Sequence, residues 1–370
     1  MRHYAGIKPA ATILGFIFLM VFILSIAAIT AFVMTYFLTR IVIRLAERFS
    51  IFDMPGSRKI HTKPVLTTGG LSFIATFYLM IGGGFIFYPT LASQILYHNL
   101  TALLVSQALI IGMGIYDDIK GLNASAKFLI QITCSLILIY ILGFSINVLT
   151  NPFGGEISLG VFSVPLTILW LVGITNAINL IDGLDGLAAG IVLISSFFLS
   201  LASLYQGQEG TAVLFIILAA SLLSFLKFNF YPARLFMGDT GSLFLGFTVA
   251  TLSLLISRKT TVSLALFIPI ISLGIPILDT SISFIRRLSE KHNPFSGDRK
   301  HIHHILLRSG MSHLQIVVFL LLITLLFNVI SLAFMVMPGK YFLLILLIVT
   351  IIVVISILSL RFLEREVMPH

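Results

Sequence analysis

The chain has 370 residues, 58% of them hydrophobic and 10% charged, with a formal net charge of +9 and a mean hydropathy of +1.09. That composition excludes a soluble globular protein, which needs far more charge to cover its surface. The basic balance reads as a bias between two membrane faces, so no nucleic-acid partner is expected.

Apolar stretches long enough to cross a bilayer, about 20 residues each as helix, recur from end to end. The first starts near Ala10 and runs to Leu38 without an A-x-A-like cleavage site, which predicts a retained helix rather than a signal peptide. In chain order the expected spans are 11–39, 67–88, 98–116, 127–145, 163–181, 187–205, 211–228, 241–257, 261–284, 314–336 and 341–361. The expected fold is therefore all-α: a polytopic integral membrane protein of about eleven helices, taken as one domain over 1–370. The single cysteine, Cys134, falls inside the fourth span. It excludes an internal disulfide or a cysteine-rich metal site and reads as a small buried hydrophobe.

Placing the 40–66 loop in the cytoplasm puts the 117–126, 182–186, 229–240 and 285–313 loops and the C-terminal tail there too. That side then holds 18 of the 23 Lys/Arg residues, which sets the N-terminus outside and the C-terminus inside. Asp117, Asp118, Asp182, Asp185, Asp239 and Asp298 fall on the same side, whereas the outer loops hold little beyond Glu156 and Glu209. The chemistry is expected on one face.

Four motifs lie there. In "GIYDDIKGLNASAKF", 114–128, two adjacent aspartates repel each other at a membrane boundary unless a cation or a shared proton offsets them. Lys127 opens the next span, where its ammonium could meet a phosphate at headgroup level. In "NAINLIDGLDGLAAG", 176–190, polar residues recur every third position. A three-residue helical step turns the side chain by about −60°, so Asn176, Asn179, Asp182 and Asp185 cannot converge from one unbroken helix. Gly183 and Gly186 let the chain turn, placing Asn179 and Asp182 on the last turn and Asp185 in the loop; Asp185 as a cap of the span from Leu187 is the alternative.

In "FNFYPARLFMGDTGSLFLG", 228–246, Asp239 stands at a helix start. Such a start attracts phosphate, and an adjacent aspartate can hold Mg²⁺ against phosphate oxygens or simply cap the helix. In "NPFSGDRKHIHHILLRSG", 293–310, His301, His303 and His304 stand among Arg299, Lys300 and Arg308. Histidines can ligate a transition metal, but the neighbouring cations favour an anion that bears phosphate. The "SRKIHTKPVLTTGG" loop, 57–70, adds Arg58, Lys59, His61 and Lys63, as phosphate donors or as topology determinants. Metal-holding carboxylates, cationic loops and a phosphate-friendly helix start on one face suit phosphoryl transfer between a water-borne and a lipid-anchored substrate.

"YDDIKGLN", "NAINLIDGLDGLAAG", "FMGDTGSLFLG" and "DRKHIHHILL", in this order, resemble the signature motifs of the polyprenyl-phosphate N-acetylhexosamine-1-phosphate transferases. The resemblance implies Mg²⁺-dependent transfer (Mn²⁺ being the alternative ion) of a sugar-1-phosphate from a UDP-sugar to a polyprenyl phosphate such as undecaprenyl phosphate, releasing UMP. Carried across by motif, it implies Asp117 and Asp118 as the acidic pair, with Asp117 the base. Asp239 would be the principal metal ligand, aided by Asp118. Asn179, Asp182, Asp185, Phe236, Arg299, His301, His303 and His304 would form the nucleotide-sugar site, with Phe236 stacking on uracil. Lys59 and Lys127 would face phosphate.

The His-x-His-His run resembles the N-acetylglucosamine branch, implying UDP-N-acetylglucosamine as donor. Another UDP-N-acetylhexosamine or UDP-muramoyl-pentapeptide is the alternative. The implied setting is the cytoplasmic face of a bacterial plasma membrane, at the start of cell-envelope polysaccharide or teichoic acid synthesis, with a homodimer as one assembly. Leu66 departs from the family pattern, which often has proline there. A CDP-alcohol phosphotransferase is a poorer match, because Gly190 replaces the arginine of its opening motif and no aspartate follows until Asp239. A secondary transporter would place its ionisable groups near the bilayer midplane, whereas here they cluster at one end of the spans; Asp279, within a turn or two of the cytoplasmic end of its span and without an assigned role, is the possible exception.

Overall fold

The computed structural model describes residues 10–53, 64–87, 100–150, 156–257, 267–291 and 301–336, together with 347, 350 and 351. The expected span at 341–361, and Lys59 and Arg299, lie outside the described residues. The chain folds into helices α1 (Ala10–Arg48), α2 (Gly70–Phe87), α3 (Leu100–Lys120), α4 (Ala124–Leu142), α5 (Ser163–Ile181) and α6 (Leu187–Tyr205). There follow α7 (Glu209–Asn229), α8 (Gly238–Ser257), α9 (Phe267–Ser272), α10 (Gly274–Ser289), α11 (Ile302–Arg308) and α12 (His313–Val336). Among the described residues, seven helices are long and apolar enough to cross a membrane. The protein is a helical, polytopic integral membrane protein.

Three expectations change. The ninth span is broken: α9 and α10 meet at Leu273. Pro276 has no N–H for the carbonyl of Ser272, and that freed oxygen accepts from Ser195 Oγ at 2.7 Å and Asn328 Nδ2 at 3.2 Å. The fold also holds two antiparallel ribbons, β1 (Phe52–Asp53) with β2 (Val65–Leu66) and β3 (Val148–Thr150) with β4 (Glu156–Ser158). Finally, the loops on the cationic side are shorter than expected, since α1 runs to Arg48, α3 to Lys120 and α10 to Ser289. Asp117 and Asp118 consequently sit on a helical turn, not in a loop.

α8 is the central post, 89% buried across its apolar window, against 17% for α1 at the periphery. Helices α2, α3 and α5 pack on it closely because the contacts are made by small residues. A Cβ built on Gly70 would lie 2.4 Å from Gly241 Cα, and one on Gly114 would lie 2.5 Å from Thr240 Cα. Gly70→Ala is therefore expected to separate α2 from the start of α8 and to cost about 1–3 kcal/mol, readable as a lowered thermal midpoint. Polar pairs tie the same helices deeper in the bundle. Gln107 Nε2 donates to Thr248 Oγ1 at 2.8 Å, while its Oε1 accepts from Tyr78 at 3.0 Å. Cys134 is buried and unpaired, as its place in an apolar span implies.

Candidate active site

The site forms where α3 ends, α4 and α8 begin, and α5 gives way to a turn. Asp117 closes the α3–α4 connection: its Oδ1 accepts from Leu122 N at 2.6 Å and its carbonyl from Gly121 N at 2.8 Å. Asn123 then caps α4 by accepting from Ala126 N at 2.8 Å, which places Lys127 on the first turn. The Lys127 ammonium lies between two carboxylates, paired with Asp117 Oδ2 and, at 2.8 Å, with Asp239 Oδ2. Asn179 donates to Asp239 Oδ1 at 3.1 Å and to Ser242 Oγ at 2.9 Å. Lys127, expected to face phosphate, here meets carboxylates.

Asp239 does not cap its own helix. The cap comes from α3: Asp118 Oδ1 accepts from Asp239 N at 2.7 Å, and Oδ2 from Thr240 N at 3.1 Å and Thr240 Oγ1 at 2.6 Å. A carboxylate at a helix N-terminus satisfies orphan N–H groups and meets the positive end of the dipole. Gly238 makes the approach possible, with φ at 73° and a would-be Cβ only 2.7 Å from Asp118 Oδ2. The Asp239 side chain, 38% exposed, is left to face the site.

α5 ends at Ile181, and Asp182 follows at φ −75°, ψ 42°, so the three-residue spacing breaks where helix geometry requires it to. Half-buried, the Asp182 carboxylate accepts no hydrogen bond from a described residue. Burial first, then the negative charges of Asp239, Asp118 and Asp185, hold it well above the usual carboxylate range. Asn176, one turn earlier on α5, braces the helix against α4 by donating to Gln131 Oε1 at 2.6 Å.

Asp185 has a different task. Its Oδ2 accepts from Ala233 N at 2.9 Å, and its N–H donates to His313 Nε2 at 3.0 Å. It ties the 182–186 turn to the segment before α8 rather than capping α6, whose N-cap is Gly186 at φ 78° without a side-chain bond. Of the two glycines in that turn, only Gly186 is hinged by a positive φ. Gly183 is instead a packing site: a Cβ there would lie 2.4 Å from His303 Nε2. The segment before α8 is held in turn by the lead-in to α2. Phe236 N donates to Leu66 O at 2.8 Å, and Gly69 N to Phe236 O at 2.8 Å, leaving the Phe236 ring half-buried.

The histidine motif reaches the same turn through α11. Asp279, on α10 and buried, accepts from Ile302 N at 2.7 Å through Oδ1, and its Oδ2 lies 2.9 Å from His301 Nδ1. The His301 and His303 rings run nearly parallel, their centroids 5.9 Å apart, while His303 and His304 approach to 4.3 Å. Burial first, then the neighbouring His304, pushes His303 down to about 3 from an ordinary 6.5.

The sign of its effect on stability follows from proton counting. Between pH 6.5 and about 3 the unfolded chain takes up a proton that the folded one refuses. Stability drawn from His303 docking is complete above that window and is lost as pH falls through it. Replacing His303 by Asn is expected to flatten the fall of the thermal midpoint between about pH 7 and 5.

The structure thus gathers Asp117, Asp118, Lys127, Asn179, Asp182 and Asp239, with the histidine helix leaning on the adjoining turn. Sequence reasoning missed Thr240 and Ser242, whose hydroxyls in "GDTGS" were the available signal, and the bracing His313, which carried none. Among the described residues no three His, Cys, Asp or Glu side chains form a ready metal cage. A hard cation that keeps its waters and binds one or two carboxylates plus substrate phosphate suits Asp239 and the unpartnered Asp182. What the arrangement can do is balance and position phosphate charge at a membrane surface, with a buried carboxylate, Asp117, beside it.

Residues 100–257 match the sequence profile described as "Glycosyl transferase family 4". Over 306 residues the chain is 41% identical to a Bacillus subtilis protein named probable undecaprenyl-phosphate N-acetylglucosaminyl 1-phosphate transferase, covering 82% of this chain and 83% of that one. It is 34% identical over 326 residues to the decaprenyl-phosphate N-acetylglucosaminephosphotransferase of Mycobacterium leprae, covering 81% and 80%. A phospho-N-acetylmuramoyl-pentapeptide-transferase of Clostridium perfringens is 33% identical over 285 residues, covering 72% and 81%.

Proposed function

Since the chain belongs to glycosyl transferase family 4, among the polyprenyl-phosphate N-acetylglucosamine-1-phosphate transferases, and is an enzyme of that type, we propose that it moves N-acetylglucosamine-1-phosphate from UDP-N-acetylglucosamine to undecaprenyl phosphate. The observation that carries this reading is the Asp117–Lys127–Asp239–Asn179 cluster at the start of α8, built from three other helices at one end of the bundle. The whole chain acts as one catalytic domain in a bacterial plasma membrane. Its eleven spans put the N-terminus outside, and the C-terminus and site in the cytoplasm, where the polysaccharide or teichoic acid of the envelope begins.

An oxygen of the prenyl phosphate attacks the β-phosphorus of the UDP-sugar in a single displacement. The bond from that phosphorus to the bridging oxygen breaks, and UMP leaves with the electron pair. Asp117 takes the acceptor's proton, its carboxylate fixed by Leu122 N and Lys127. Lys127 balances two carboxylates and turns to the incoming phosphate. Asp239 and Asp182 would hold Mg²⁺, which when bound supplies charge neutralisation at the pyrophosphate. Asp118 holds the helix start, its oxygens accepting from Asp239 N, Thr240 N and Thr240 Oγ1. The face made by the 182–186 turn, Phe236 and the histidine helix receives the nucleotide-sugar.

The test mixes purified protein, undecaprenyl phosphate and Mg²⁺ with a panel of UDP-sugars. UMP release with UDP-N-acetylglucosamine is expected. Preferential use of UDP-muramoyl-pentapeptide would overturn the assigned branch, and uptake into proteoliposomes without turnover would favour a transporter.

A further inference from the structure

Away from the carboxylates, a second feature sits at the same end of the bundle. A cavity of about 810 Å³ opens between the last turns of α1, the end of α7, the β1–β2 ribbon and the 228–234 segment. Arg40, Arg44, Lys227 and Arg234 converge on it from three separate stretches of chain, and Glu47 is the one carboxylate among the described lining residues. None of the four cations has an ion-pair partner among the described residues. Two are held in place by rings: Lys227 Nζ lies 4.8 Å from the Phe32 centroid and 5.6 Å from that of Tyr36, and the Arg40 guanidinium lies 5.1 Å over Tyr36. Such cation–π seats fix a charge without neutralising it. Cations spread only to set topology have no reason to converge on one preformed hollow.

The surroundings narrow the ligand. At 39 residues α1 is about 58 Å long, roughly twice a hydrocarbon core of about 30 Å. Its apolar stretch ends at Leu38, so Arg40 and Arg44 emerge at headgroup level. Alongside them Val33, Phe37 and Ile41 form an exposed apolar stripe at four-residue spacing. An apolar track running into a cationic cavity matches an amphiphile with acyl chains and an anionic head, rather than a free anion.

We infer that this cavity is a binding site for the phosphate headgroup of an anionic phospholipid, whose chains lie along α1. It is separate from the acceptor's place in the reaction: neither the aspartates of the candidate active site nor Lys127 nor Asn179 is among its described lining residues. Leu66, which lines the cavity, pairs in parallel with Leu235, the residue before Phe236. Through Ala233, whose N–H is bound by Asp185, an occupied headgroup site would brace the segment leading into α8. The inference does not depend on the proposed sugar or acceptor.

Native mass spectrometry of the full chain in neutral detergent tests it, with phosphatidylglycerol and phosphatidylcholine of the same acyl chains as probes. Phosphatidylglycerol is expected to be retained about tenfold better than phosphatidylcholine, and the preference to vanish in Arg40→Gln/Arg44→Gln/Lys227→Gln/Arg234→Gln. Should that variant aggregate on size exclusion, Arg40→Gln/Lys227→Gln is expected to lose most of the preference while keeping its thermal midpoint in detergent. Equal retention of the two lipids, or phosphatidylglycerol retention unaltered in the variants, would overturn the site. Displacement of the lipid by millimolar inorganic phosphate would overturn the lipid in favour of a free anion. A raised KM for undecaprenyl phosphate with unchanged phosphatidylglycerol retention would reassign the cavity to the acceptor.

Discussion

Replacing Asp239 by Asn is expected to lower turnover by about 100- to 1,000-fold, the scale of removing one group that stabilises transferring charge. The substitution keeps the size of the side chain and removes its charge. Asp239 faces Lys127 at 2.8 Å and Asn179 at 3.1 Å, so its environment is organised around a negative group. Folding should survive, because Asp118 and not Asp239 satisfies the first N–H groups of α8. The contrast is Asp118→Ala, which removes the cap and is expected to cost about 1 kcal/mol of stability or somewhat more. Parallel turnover and thermal-melt measurements on the two variants separate the roles. If Asp239→Asn kept turnover within a few-fold of the parent and an unchanged Mg²⁺ requirement, the proposed metal role would be wrong.

The second large effect is expected at Asp279, which touches nothing that reacts. Its two oxygens meet His301 Nδ1 and Ile302 N, so they fix both the ring and the start of α11. Asp279→Ala leaves two buried donors without an acceptor, at about 1–3 kcal/mol each. The histidine helix should then lift from the 182–186 turn, where His303 rests against Gly183. With that turn on the proposed nucleotide-sugar side, KM for the donor is expected to rise by about tenfold or more while kcat falls less. Asp279→Asn, which keeps one acceptor oxygen, should recover part of the loss. A lowered thermal midpoint with KM untouched would make Asp279 a structural residue only.

These two residues show what was legible in advance. Asp239 stood in a motif whose residue types announce phosphate and metal chemistry, and its position at a helix start followed from "GDTGS". Asp279 sat near the cytoplasmic end of a span with no neighbour in the sequence to explain it, since its partner is 22 residues away across a loop. The same limit applied to Asp118 and Asp185. Both were read as site carboxylates, and nothing in the sequence signalled that an oxygen of each also accepts from a backbone N–H 121 or 48 residues away. The break at Leu273 could be suspected from Pro276, yet only the facing Ser195 and Asn328 show how the freed carbonyl is satisfied.

The sequence by itself determined that this is a helical, membrane-embedded bundle with the acidic motifs of the candidate site at one end. Hydropathy needs no partner to be read, and helix geometry alone forbade four polar residues at three-residue spacing from sharing a face. The spans at 163–181 and 187–205 coincide with α5 and α6 for that reason. What only the tertiary structure decided is the division of labour among like residues. Asp117, Asp118, Asp182, Asp185 and Asp239 look equivalent in a string of letters. Their surroundings were set by which donors among the described residues each met, or in the case of Asp182 did not meet, once α3, α5 and α8 packed together. A carboxylate's role depends on its hydrogen-bond partners and burial, and both are properties of contacts between distant segments.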